Sequence, residues 1–199
     1  MFSLTTGITP TVSVGTHNVV TKKDIKCYNF DGVDEYVNTT IIDDDLKVND
    51  AITIVAWVRL DDGRADANQV ICGAESSSHA IKFFIYSTGE VGIVLKYASV
   101  LQIGKTTTQL PNGQTDWVFV AGKYDGSLNN DGDNHLAAFA SLNGSNWEQL
   151  IPDAGIDNSG SAWDSPAWPN FGSYPIWIGG DNDDGSYVQG FEGNISNIV

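Results

Sequence analysis

Residues 116–126 have the sequence DWVFVAGKYDG, and this stretch decides the fold of the chain. It is typical of one long strand, because side chains in a strand alternate between two faces. Trp117 and Phe119 point to one face, and Val118 and Val120 point to the other. Both faces are apolar at the centre, so the strand is predicted to be covered on both sides. The closing Asp-Gly pair is a turn signal.

Other strand-like runs follow at near-even intervals, separated by turns rich in Gly and Asn. They are residues 26–30, 36–39, 51–60, 69–74, 81–86, 91–97, 101–107, 135–142, 146–151, 176–180 and 194–199. No amphipathic helix longer than two turns is visible. This pattern predicts an all-β protein, an antiparallel two-sheet β-sandwich. Its predicted buried residues include Trp57, Val58, Trp117, Phe119, Val120, Trp177 and Ile178.

The composition limits the classes of partner. The chain has 199 residues, of which 41% are hydrophobic, enough for the core of one domain. Its net charge of −15 argues against nucleic acid and anionic membranes as partners, since both would repel it. The charge favours a cation or a basic partner, or it reflects adaptation to a salty environment. No stretch is long and apolar enough to span a bilayer, so no membrane insertion is expected.

Two cysteines, Cys27 and Cys72, are the only ones in the chain. A disulfide framework normally needs more, so two separate buried thiols are favoured over a single bridge. No signal peptide is visible in residues 1–20. The chain is therefore expected either to act without secretion or to be cut from a longer polypeptide.

Five short motifs together resemble the laminin-G-like domains of the concanavalin A-like superfamily. They occupy residues 30–37, 52–58, 117–126, 178–180 and 191–195. The resemblance covers about residues 27–199 and implies a jelly-roll β-sandwich. It also implies a last strand that pairs beside the strand of Phe30-Asp31-Gly32. In such domains that strand usually runs several residues further than Val199, so either the sequence is truncated or this strand is short. It does not fix a function, because the superfamily includes lectins, adhesion modules, virion proteins and enzymes.

Residues 1–26 differ from the rest and are predicted to form an N-terminal arm before the domain of residues 27–199. They are rich in Thr and Val and poor in aromatic residues. Such a segment either adds an edge strand or contacts a neighbouring protein. The alternative is a disordered tail.

Clusters of Asp and Asn beside glycines are the candidate metal ligands, because calcium prefers oxygen atoms from flexible loops. Many laminin-G-like domains bind one calcium at the rim of the sandwich. The resemblance therefore implies a calcium site built from Asp31 or Asp34 with Asp181, Asp183 or Asp184. The alternative is turn chemistry, in which these side chains accept hydrogen bonds from nearby backbone.

A long aromatic loop, residues 152–174, is the candidate ligand site. Sugars stack their apolar faces on exposed rings, and polar groups fix their orientation. Trp163, Trp168 and Tyr174 could provide such rings. The alternative is a small satellite core, in which the rings pack beneath the loop.

Motifs for catalysis are missing from the sequence. The glycanases of the superfamily carry a Glu-x-Asp-x-x-Glu strand whose carboxylates flank the scissile bond, and this chain has no such strand. No zinc, P-loop, dinucleotide or Gly-x-Ser-x-Gly motif is present either. The chain is therefore expected not to be an enzyme.

Three functional hypotheses remain. The first is a structural or binding domain on a particle surface, such as a phage decoration, tail or fibre protein, with glycans among its ligands. Its arm would contact other virion or surface proteins. The second is a carbohydrate-binding, lectin-like module of a secreted protein, and the third is a glycan-cleaving enzyme. The expected location is a virion surface or the extracellular space.

Overall fold

Two stacked antiparallel sheets form the protein, as the strand pattern predicted. The computed structural model describes residues 11–13, 19–22, 25–42, 51–61, 67–77, 79–97, 100–106, 109–113, 115–125, 136–141 and 174–199. All regular structure in these ranges is β-strand. Within them no helix is long and apolar enough to cross a membrane.

The larger sheet has nine strands, in the order β1-β4-β12-β6-β7-β8-β9, with β13 pairing β6 and β14 pairing β13. Its members are β1 (Thr11–Ser13), β4 (Tyr36–Asn38), β6 (Gln69–Glu75), β7 (His79–Ile85), β8 (Val91–Tyr97), β9 (Val100–Lys105), β12 (Trp177–Ile178), β13 (Asp181–Asp183) and β14 (Ser186–Val188). The runs 81–86 and 91–97, predicted as strands, correspond to β7 and β8, which pair as an antiparallel hairpin.

The smaller sheet has six strands, in the order β11-β10-β5-β15-β3-β2. Its members are β2 (Val19–Lys22), β3 (Ile25–Asp31), β5 (Ala51–Leu60), β10 (Val118–Asp125), β11 (Leu136–Ser141) and β15 (Glu192–Ser196). The last strand, β15, does pair with the Phe-Asp-Gly strand β3, as the resemblance implied.

The core lies between the two sheets and is filled by alternate residues of each strand. In β5 the inward positions are Ile54, Ala56, Val58 and Leu60, all buried. Gly122 of β10 faces the opposite sheet, and a Cβ atom there would lie 2.9 Å from the Phe83 ring. The sheets therefore approach each other closely at this point.

The prediction that the central strand is covered on both faces is only half right. Val118 and Val120 are fully buried between the sheets, but Trp117 and Phe119 on the other face are half-buried. Trp57 lies beside Phe119 on this outer face, with the ring centroids 5.4 Å apart and the planes at 77°. These large rings were predicted as core because apolar runs do not reveal which face points inward.

Both cysteines are buried, and neither forms a disulfide. Cys27 lies on β3 of the six-stranded sheet and Cys72 on β6 of the nine-stranded sheet. The prediction of two separate buried thiols is confirmed. Burial, with a smaller contribution from the charge of Asp181, raises the pKa of the Cys72 thiol to about 12.

Two short strands come from the residues predicted as an N-terminal arm. β1 pairs with β4 at the edge of the nine-stranded sheet, and β2 pairs with β3 at the edge of the six-stranded sheet. The domain boundary at residue 26 stays a prediction.

The two glycines of the Ile178-Gly179-Gly180 motif, directly after β12, are each required by a neighbouring aromatic ring. At Gly179 a Cβ atom would lie 2.3 Å from the Phe30 ring of the other sheet, and the backbone φ is 87°. At Gly180 a Cβ atom would meet the Tyr187 ring at 2.2 Å. Only glycine leaves room for both rings against the backbone.

We expect Gly179→Ala to reduce the free energy of unfolding by about 3 kcal/mol or more, because the new methyl group overlaps a fully buried ring. Gly113→Ala is the matched control. It has a similar φ of 82° but nothing within 4 Å of the added atom, so it should cost only about 1–2 kcal/mol. Urea unfolding of both variants measures the difference. Equal losses would contradict the role of the Phe30 contact.

Candidate functional site

One row of facing residues crosses the outer face of the nine-stranded sheet. Residues that pair directly across two strands lie on the same face of the sheet. The next residues along these strands, such as Val37, Ile178 and Phe83, point to the other face and lie in the core. The row consists of Asn38, Trp177, Gly73, Lys82, Val94 and Ile103. It combines an indole ring, a lysine and apolar side chains on the side of the sheet that does not build the core.

Three aromatic rings lie together at one end of this row, and we call them the ring platform: Tyr36, Trp177 and Tyr187. The centroids of Tyr36 and Trp177 are 3.8 Å apart and their planes differ by 19°. Tyr187 lies 5.6 Å from Tyr36 and 6.5 Å from Trp177, at 26° and 28°. The three centroids form a triangle of nearly parallel rings. Trp177 is buried and both tyrosines are half-buried, so the tyrosines form the accessible part.

Tyr187 is held in place from both ends. Its ring lies against the backbone of Gly180, and its hydroxyl is 3.2 Å from the carbonyl oxygen of Glu35 and 3.1 Å from that of Gly179. Burial, assisted by the charges of Asp31, Asp34 and Glu35, raises the pKa of this hydroxyl. Tyr187 therefore remains a neutral phenol that joins β14 to the loop after β3.

The indole N–H of Trp177 is buried and has no hydrogen-bond acceptor among the residues that the structure describes. A buried donor without a partner costs free energy, so such groups are rare and call for an explanation. This donor belongs to the ring platform. A ligand or water molecule would reach it only after a neighbouring side chain moves.

Four charged side chains lie beside the platform, and we call them the charged cluster: Glu75, Lys82, Lys96 and Asp181. The Lys82 ammonium contacts the carboxylate of Glu75 and lies 2.6 Å from Asp181 Oδ2. Lys96 Nζ lies 3.0 Å from Glu75 Oε1. Asp181 and Trp177 both pair with Gly73. Asp181 therefore lies where the charged cluster meets the ring platform.

Burial and pairing act in opposite directions on these pKa values. Burial raises the pKa of Asp181 from its usual 3.8 to about 6, although Lys82 opposes the change. Burial by itself would lower the pKa of Lys82, but Asp181 and Glu75 outweigh it and raise that pKa. Burial by itself would raise the pKa of Glu75, but Lys82 and Lys96 lower it overall. At neutral pH all three groups are therefore charged.

The residues predicted to bind calcium are not gathered into one ligand set. Asp181 is fully buried and paired with Lys82, which leaves no room in its surroundings for a hydrated cation. Asp31 Oδ1 accepts hydrogen bonds from the backbone N–H groups of Val33 and Asp34, at 2.8 and 3.3 Å. In the part of the chain that the structure describes, no group of three His, Cys, Asp or Glu residues could hold a metal. The residues described here do not fit the predicted site, and calcium binding itself stays a prediction.

The other predicted ligands, Asp183 and Asp184, belong to a β-hairpin that the sequence analysis missed. β13 pairs with β14, and Asp183 faces Ser186 across a two-residue turn. Asp184 and Gly185 have φ values of 48° and 86°, as a type I′ turn requires. The Asp-Gly dipeptide was the signal that would have predicted this hairpin. Its register places Tyr187 opposite Asn182, and the ring distances given above place Tyr187 on the platform.

Of the predicted sugar-binding rings, Tyr174 is half-buried and lies beside the hairpin turn, with Cε1 3.7 Å from the position of a Cβ atom on Gly185. Trp163 and Trp168 lie outside the described residues. Tyr36, Tyr187, Glu75, Lys82 and Lys96 were not among the predicted site residues, whereas Asp181 was predicted as a calcium ligand. Tyr36 lies within the motif of residues 30–37, which indicated the fold and not a site.

Comparison with known proteins shows the fold of the chain. No protein-family model and no curated protein matches it. The K499G mutant of the NanB sialidase from Streptococcus pneumoniae aligns with a TM-score of 0.53 and 14% identity, over 86% of this chain and 25% of that one. The CBM40 of the Ruminococcus gnavus IT-sialidase aligns at 0.46 and 17%, over 74% and 73%. A pentraxin from Limulus polyphemus aligns at 0.41 and 16%, over 74% and 63%.

At 14% identity the likeness to the NanB protein shows a shared fold alone, and the concanavalin A-like and laminin-G-like assignments stay predictions. The chain spans about a quarter of the length of the NanB protein it matches. At such low identity the comparison speaks to the fold and not to activity.

We expect the stability of the protein to depend on pH through Asp181. Because its pKa is about 6 when folded and 3.8 ordinarily, the folded state favours the protonated form. The stability this carboxyl contributes is complete below pH 3.8 and is lost as pH rises through 6. Since one pKa unit equals about 1.4 kcal/mol, the loss is at most roughly 3 kcal/mol.

The Asp181→Asn variant measures this effect, because its side chain does not titrate. The unfolding free energy of the natural protein minus that of the variant should fall as pH rises from 4 to 7. Equal urea m-values show that both proteins unfold from the same compact state. A difference that stays constant over this range contradicts the account.

Proposed function

We propose that this protein is a non-enzymatic, glycan-binding domain whose ligand lies on the ring platform. The observation that carries the proposal is the platform itself: two half-buried tyrosines with nearly parallel planes, next to charged side chains, on the outer face of a sheet. A pyranose ring has apolar C–H faces and polar edges. It matches a surface in which flat rings lie beside hydrogen-bonding groups.

The tyrosines would supply the stacking surface. Tyr36 is supported from below by Trp177 at 3.8 Å, and Tyr187 is fixed by Gly180 and by the carbonyl of Glu35. Rings that are already held in place lose little conformational entropy on binding. The exposed carboxylates of Asp31 and Asp34 are close enough to affect the pKa of the Tyr187 hydroxyl, and they would accept hydrogen bonds from sugar hydroxyls.

The non-enzymatic part of the proposal rests on the carboxylates of the charged cluster. A pair with pKa values shifted in opposite directions, here Glu75 and Asp181, is the pattern expected of an acid and a nucleophile. However, both carboxylates hold the same Lys82 ammonium, and Asp181 is fully buried. Asp181 therefore cannot donate a proton to a substrate, and we assign the pair a structural role.

A role on a virion or another particle surface stays a prediction. The structure adds one related observation, namely that β1 and β2, from the predicted arm, lie at sheet edges. An extracellular location agrees with glycan binding and is part of the proposal.

We expect Tyr36→Ala to weaken glycan binding at least tenfold, because it removes the central stacking ring (about 1.4 kcal/mol). Tyr36→Phe keeps the ring and should bind within threefold of the natural protein. Tyr28→Ala is the matched control, since Tyr28 is 37% exposed but lies on the six-stranded sheet. A glycan array followed by calorimetry on the glycans that bind measures these changes.

Two results would contradict the proposal. The first is natural affinity in Tyr36→Ala together with loss of binding in Trp163→Ala/Trp168→Ala, which would move the site to the aromatic loop. The second is hydrolysis of any bound glycan by the purified protein, which would show that it is an enzyme.

A further inference from the structure

Both lysines of the charged cluster already form ion pairs with carboxylates. Lys82 contacts two carboxylates and Lys96 contacts one, so two ammonium groups face two carboxylates. Taking Lys82 away from its partners would leave the buried Asp181 charge uncompensated, which is strongly unfavourable. An anionic ligand therefore gains no free ammonium group from this cluster.

The surroundings of Tyr187 are negative. Asp31 at the end of β3 and Asp34 in the loop that follows are both exposed, and the Glu35 carbonyl of this loop contacts the Tyr187 hydroxyl. The backbone of this loop approaches closely: a Cβ atom on Gly190 would lie 2.3 Å from both the Gly32 carbonyl oxygen and the Tyr187 hydroxyl. A sugar stacked on Tyr187 would thus lie beside two carboxylates, in a chain of net charge −15.

The remaining polar group of the platform also suits a neutral ligand. Trp177 carries an uncharged N–H donor that has no acceptor, and this side chain is more than nine-tenths buried. An indole N–H donates to hydroxyl or ring oxygen atoms without needing a charge on the ligand. The nearby carboxylates accept from hydroxyl groups and repel other carboxylates.

We propose that the ring platform selects neutral, hydroxyl-rich glycans and rejects glycans that carry carboxylate or sulfate groups. This inference rests on the proposed glycan-binding function and specifies its ligand. It follows from two observations: the lysines beside the platform are already paired with carboxylates, and the Asp31 and Asp34 carboxylates near Tyr187 are exposed.

The test compares matched glycan pairs that differ only in an anionic group, such as lactose and α2,3-sialyllactose, on one array with the natural protein. For each pair in which a member binds, we expect the neutral member to bind at least threefold more tightly at low salt. The ratio should shrink as salt screens the charges. Equal or tighter binding of the anionic members overturns this inference and leaves the glycan-binding function in place. No binding to any glycan overturns both.

A variant tests the cause of the selectivity. Asp31→Asn/Asp34→Asn keeps the side-chain oxygen that accepts the loop hydrogen bonds but removes two charges. It should improve binding of the anionic members roughly threefold to tenfold relative to their neutral partners. Asp116→Asn, at an exposed position just before β10, is the control. Unchanged selectivity in the double variant would overturn the electrostatic explanation.

Discussion

The contact between Phe30 and Gly179 controls the geometry of the candidate site. Phe30 belongs to the six-stranded sheet and is fully buried, and its ring occupies the space where Gly179 would carry a side chain. The Gly179 backbone also makes two hydrogen bonds. Its N–H donates to the Ile71 carbonyl, and its carbonyl accepts from the Phe191 N–H. The chain between β12 and β13 is thereby fixed against the core. Trp177 on one side and the hairpin carrying Tyr187 on the other take their positions from it.

The buried charges of Asp181, Glu75 and Lys82 depend on one another, because Lys82 pairs with both carboxylates. Among the described residues neither carboxylate oxygen of Asp181 has a hydrogen-bond partner, and Oδ2 forms an ion pair with Lys82, so its charge depends on a single ammonium group. Such pairs often contribute little net stability, because desolvation offsets their attraction. Their value here is geometric. The ion pairs fix Lys82 and Glu75 relative to each other, and they leave the platform with no unpaired cation from this cluster.

The sandwich could be predicted from the sequence because alternation and turn residues are local signals. The burial of Val58 and Val120 followed correctly from that alternation, whereas Trp57 and Phe119 did not, since an apolar strand does not show which face a second sheet will cover. The site was harder to predict. Its rings come from β4, β12 and β14, which are distant along the chain, and only the pairing of strands brings them together. Asp181 resembled a calcium ligand because its lysine partner lies on another strand.

The central claim is that a glycan binds on the half-buried tyrosines of the nine-stranded sheet. The most direct measurement is to label the tyrosine rings isotopically and to record their NMR spectrum while a bound glycan is titrated in. The chain has seven tyrosines, which can be assigned by single Tyr→Phe substitutions. The account predicts that the ring signals of Tyr36 and Tyr187 shift in proportion to glycan occupancy, while that of Tyr28 does not move. Saturable binding that leaves the Tyr36 and Tyr187 signals unchanged would contradict it.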